Sequence, residues 1–124
     1  MDQMSKSEHM EQIISRGGYH VMPKGEPLLP HDAAERKEIP VYSGVLAYFP
    51  LALIEIAKLS KRGNDQHNPG SPLHWDRAKS GDELDALVRH LLELNDNSVD
   101  SIEAATAVAW RALANLQKMM EDKT

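Results

Sequence analysis

Pro50-Leu-Ala-Leu-Ile-Glu-Ile-Ala-Lys-Leu-Ser-Lys-Arg-Gly63 is the stretch that decides the fold. Proline suits a first helical position, where its missing N–H would have no intrahelical partner. Leu51, Leu53, Ile54, Ile56, Ala57 and Leu59 then carry an apolar helix, and Gly63 after Lys61-Arg62 predicts its end. Leu51, Glu55, Lys58 and Arg62 share one stripe of that helix. Glu55 has apolar neighbours on both sides, which predicts a helix buried on most faces.

Two further helices follow. Ser80 with Glu83 three residues on reads as a capping box, and Leu84, Leu87, Val88 and Leu91 supply the expected buried side. Asp82, Asp85 and Arg89 fall together on another face. Asp100 with Glu103 starts the last helix, whose alanines, Val108, Leu113, Leu116 and Met120 form the expected core side. Between the first two helices, residues 64–79 read as a long polar loop, and a loop of that length signals function. No strand alternation appears after residue 45. The expected fold is an all-α bundle over 38–124, completed by oligomerisation, with an irregular N-terminal arm over 1–37 that holds a short helix near Ser7–Ser15 and a helical turn from Asp32 to Lys37.

The 124 residues are 41% apolar and 27% charged, the balance of one soluble globular domain. There is no cysteine, which rules out disulfides and thiolate zinc sites and fits a cytosolic protein. The apolar run from Val45 to Ala57 is too short for a bilayer, and the polar N-terminus is unlike a signal peptide. A net charge of −5 disfavours a nucleic-acid polymer as partner. A small anion held through metal ions is compatible with it.

Carboxylates converging inside a small helical domain need positive charge between them. Glu55, Asp82 and Asp85 therefore read as ligands of magnesium or manganese, which favour carboxylate oxygens. The plainer alternatives are that Glu55 pairs with Lys58 or Arg62, and that Asp82 and Asp85 only favour the positive end of a helix. In the loop, Asn64, His67 and Asn68 offer donors and acceptors suited to a sugar or base edge. Trp75 stacks on a base or packs, with packing the default. Arg89 contacts a phosphate or neutralises Asp82 and Asp85. Trp110 packs, and Arg111 is exposed or pairs with an acid. No P-loop, nucleophile elbow or His-Glu-x-x-His is present.

Tyr48-Phe49-Pro50…Glu55, Gly63-Asn64-Asp65-Gln66-His67-Asn68-Pro69-Gly70, Pro72-Leu73-His74-Trp75, Asp82-x-x-Asp85-Ala86-Leu87-x-Arg89-His90-Leu91 and Val108-Ala109-Trp110-Arg111-Ala112-Leu113 together resemble a phage family. It is the dATP/dGTP diphosphohydrolase N-terminal-domain group, MazZ-like and related to the all-α MazG nucleotide pyrophosphohydrolases. The resemblance covers roughly residues 38–118. It implies hydrolysis of a purine dNTP to dNMP and pyrophosphate, with magnesium (or manganese) lowering the pKa of an attacking water. It further implies a homodimer or homotetramer in the cytoplasm of an infected host. Family members carry Glu-x-x-Glu on one helix and Glu-x-x-Asp on the next. Glu55 matches the first position, Asp82 replaces the third and Asp85 matches the fourth. Lys58 occupies the second, so Asp65 stands in as the remaining metal ligand, and Glu103 replaces an expected histidine. Lys58, Asn64, His67, Asn68, Trp75 and Arg89 are the implied substrate contacts. The rival readings are a nucleotide-binding protein that does not cleave, and a helical interaction module.

Overall fold

The computed structural model describes residues 25–79 and 81–123. Among the described residues, four α-helices follow one another: α1 (Ala33–Lys37), α2 (Pro50–His67), α3 (Glu83–Glu93) and α4 (Ser101–Lys123). A π-helical turn, Tyr42–Leu46, precedes α2, and a 3-10 turn, Arg77–Lys79, precedes α3. No strand occurs among the described residues, so the expected all-α class holds. The anticipated helix near Ser7–Ser15 and the Ser80 cap lie outside the described residues.

Local chemistry sets most of the boundaries. Asp32 caps α1 by accepting from the Glu35 amide at 3.0 Å. Pro50 takes the first position of α2, as its ring geometry favours. The Asp100 carboxylate accepts from the amides of Ile102 (2.9 Å) and Glu103 (3.1 Å), the expected cap of α4.

Two boundaries differ from the sequence reading. Helix α2 does not stop at Gly63 but continues to His67, so Asn64, Asp65 and His67 are helical rather than loop residues. Asn64 holds that extra turn. Its buried side chain donates to the Ser71 carbonyl at 3.0 Å and accepts from the His74 amide at 3.4 Å, tying the connector back onto the helix. The chain then reverses at Pro69-Gly70, where the Ser71 amide bonds the Asn68 carbonyl and Gly70 adopts φ +80°. Pro followed by a positive-φ Gly is the signature of a type II turn. Helix α3 begins at Glu83, so Glu83 is its first residue and not the third-position half of a capping box.

The packing changes much of the expected core, although Leu87 and Val108 stay half-buried as expected. Helix α4 is the hub, with α3 and the C-terminal half of α2 against it. Among the described residues, the buried apolar ones are alanines, Ala86, Ala104 and Ala114, joined by Asn64, Glu83 and Thr106. Leu84, Val88 and Leu91 of α3 and Leu113, Leu116 and Met120 of α4, all expected inside, are exposed. On α2, Leu51 and Ile54 are exposed (Leu51 by 78%), whereas Leu53, Ile56 and Leu59 are half-buried. Small residues let α3 and α4 approach closely, and the face that carries them also carries Glu83 and His90.

Candidate functional site

A groove of about 1030 Å3 runs between the C-terminal half of α2, the connector, and the inner faces of α3 and α4. Its wall is an aromatic pair. The rings of Trp75 and Trp110 meet edge to face with centroids 5.6 Å apart. The Trp110 indole N–H donates to the Ser60 hydroxyl at 2.8 Å, which fixes α4 to α2. The Arg77 guanidinium lies 4.2 Å from the Trp75 ring centroid and also forms a forked bond to Glu121, with nitrogen–oxygen distances of 2.8 and 3.0 Å. Trp75 is thus packed in place, the default reading for it. Its indole N–H is buried and meets no acceptor among the described residues.

Beneath this wall sits a buried charge cluster. Glu83 Oε1 lies 3.3 Å from the Arg111 guanidinium and 3.6 Å from Lys118 Nζ. Arg111 reaches over Trp110 (5.5 Å) and Lys118 over Trp75 (5.8 Å), so the bases are held against ring faces as well as against the acid. Arg111 pairs with an acid, one of its two anticipated roles. Glu83 was read only as a helix-start residue, and its position was missed. A usable signal was present: Glu83, Ala86 and His90 share a face at helical spacing, and an Ala-rich α4 invites close approach there.

Of the residues singled out from sequence, the groove brings together Asn64, His67, Asn68, Trp75 and Asp82. Asn64 is committed to the connector backbone through both ends of its amide. The side chains of Arg62, a groove residue that the sequence reading placed on the α2 stripe as a possible partner of Glu55, and of His67 make no hydrogen bond or ion pair with other described residues. Lys79, also at the groove, stands 4.0 Å from Asp76.

Glu55, Lys58, Asp65, Asp85 and Arg89 do not line the groove. Glu55 pairs with Lys58 at 3.0 Å one turn along α2, and Asp65 pairs with Lys61 at 2.7 Å. Asp82 accepts from Arg89 at 2.8 Å, and that bond holds its carboxyl below the usual value. The same bond raises the Arg89 pKa. Asp85 borders a smaller hollow of about 260 Å3 with Gly81, Asn115 and Lys118. Among the described residues, no three His, Asp or Glu side chains converge as a metal site. Within one chain, then, Glu55, Asp65, Asp82 and Asp85 do not fit a metal ion. Each of the first three faces a base of its own.

No single described helix is long and apolar enough to cross a membrane. Comparison with protein-family models, with curated proteins and with solved structures returns no match for this chain.

Proposed function

We propose that the groove binds a purine nucleoside triphosphate and that the protein hydrolyses it to the monophosphate and pyrophosphate with magnesium or manganese. One observation carries the binding half of this reading. The groove sets the Trp75 ring beside two polar side chains that have no partner among the described residues, Arg62 and His67. The planar fork of Arg62 suits a phosphate. The motif resemblance supplies the reaction class. The metal is assigned no step, because one chain does not assemble its ligand set.

A second reading, binding without cleavage, is favoured by a specific arrangement. Glu55, Asp65 and Asp82 are each neutralised by a neighbouring base, which leaves few free carboxylates for a cation.

The test is incubation of the purified protein with each dNTP and NTP, with Mg2+ or Mn2+ and an EDTA control, resolved by ion-exchange chromatography. Release of dNMP and pyrophosphate from a purine dNTP, abolished by EDTA, is the expected result. Tryptophan quenching by nucleotide without turnover selects the second reading. Absence of both overturns the two together.

A further inference from the structure

We propose that the connector segment Trp75–Lys79 is a movable wall of the groove, held shut by the ion pair between Arg77 and Glu121. The segment contributes Trp75, Asp76, Arg77 and Lys79 to the groove lining. Its near end is fixed from within. The buried Asn64 side chain accepts from the His74 amide and donates to the Ser71 carbonyl, so the chain up to His74 is tied to α2. Its far end runs to Gly81, which stands in open space just before α3 and has the backbone freedom of a residue without a Cβ.

Between those ends the segment bonds mainly to itself. The Ala78 amide bonds the Asp76 carboxylate and the Lys79 amide bonds the Asp76 carbonyl, which closes the 3-10 turn locally. Among the described residues, the fork from Arg77 to Glu121 is the one hydrogen-bonded tie from Trp75–Lys79 to another helix. That tie is built to yield. The two side chains are 43% and 36% exposed, and an exposed ion pair is screened by salt and shifts a local equilibrium by up to about fivefold.

The aromatic wall is divided accordingly. Trp110 belongs to α4 and is pinned to α2 through the Ser60 hydroxyl. Trp75 is gripped by the latch itself, because the guanidinium that reaches Glu121 also lies 4.2 Å from the Trp75 ring centroid. Release of Arg77 from Glu121 loosens that grip and leaves the ring with its edge contact to Trp110 and the more distant Lys118. Opening therefore moves Trp75 and Lys79 away from the groove while Trp110 and the buried Glu83 cluster stay in place.

The chain has two tryptophans, so fluorotryptophan labelling gives one fluorine NMR signal for each, assigned with Trp75→Phe. Raising NaCl from about 0.05 M to about 1 M shortens the screening length to about 3 Å. In the wild-type protein this is expected to move the Trp75 signal toward that of free fluorotryptophan and to leave the Trp110 signal where it is. Glu121→Gln is expected to give the shifted Trp75 signal already at low salt and to remove its salt response. Lys58→Met, which breaks an equally exposed pair with Glu55 on α2, is expected to change neither signal. A wild-type Trp75 signal that ignores salt overturns the proposal, as does one that keeps its salt response in Glu121→Gln. A Trp110 signal that moves together with Trp75 overturns it too, because the bundle as a whole would then be loosening. No nucleotide enters these readouts, so their outcome is separate from that of the proposed activity.

Discussion

Replacing Arg111 by Met destabilises the protein more than replacing Glu83 by Gln, although both changes break the same ion pair. The asymmetry follows from exposure. The Glu83 side chain is 4% exposed, whereas those of Arg111 and Lys118 are 28% and 24% exposed. Arg111→Met leaves a buried carboxylate facing Lys118 at 3.6 Å. Breaking a buried pair this way costs about 3–5 kcal/mol when nothing compensates. With Lys118 still in place the cost falls to the lower end, about 3 kcal/mol. Glu83→Gln keeps an oxygen that accepts from Arg111, and the two bases recover solvation through their exposed parts. Its cost is therefore that of a weakened charged hydrogen bond, about 1–2 kcal/mol. In the double variant neither charge is stranded, so the loss is smaller than the sum by at least about 1 kcal/mol. Urea unfolding followed by helical circular dichroism at one fixed protein concentration reads these differences directly. Equal losses for the two single variants, with an additive double, would refute the argument that burial of Glu83 governs this cluster.

Two smaller perturbations test the local readings. Gly63→Ala is expected to raise stability by about 0.5–1 kcal/mol, seen as a higher urea midpoint, because Gly63 is interior to α2 and nothing lies within 4 Å of an added Cβ. A loss of stability would mean that α2 ends there in a left-handed residue. Carboxyl-carbon NMR is expected to place the Asp82 midpoint below its ordinary 3.8, and Arg89→Gln to bring it back up. A lowered folded-state pKa contributes stability that is present above the unfolded value and lost as pH falls through the folded one. The variant should therefore lose stability less steeply below about pH 4. The difference is small because both partners are solvent-exposed, and an unchanged Asp82 midpoint in Arg89→Gln would remove the ion pair as its cause.

Much of the helical architecture was legible because its signals are local. Proline at the start of α2, the helical turn from Asp32 and the Asp100 cap each act within four residues. The extension of α2 past Gly63 was not legible in this way, since the Asn64 amide is fixed by Ser71 and His74, seven and ten residues away. The candidate site divides along the same line. Of the polar residues singled out for a sugar or base edge, Asn64, His67, Asn68 and Trp75 line one groove together with Asp82. Glu55 and Asp65 do not, because each has a lysine within one helical turn, the plainer of the readings open for Glu55.

By itself the sequence determined that the described chain is helical, where α4 begins and that the segment after Arg62 is built for polar contacts, because periodicity, caps and turn chemistry act over short distances. Only the tertiary structure decided which face of each helix turns inward. Periodicity identifies an apolar stripe but does not say what covers it. Here alanines allow α3 and α4 to approach closely, so Glu83 is buried between them with Arg111 and Lys118, and the leucines that pattern alone assigns to a core are left on the outer surface.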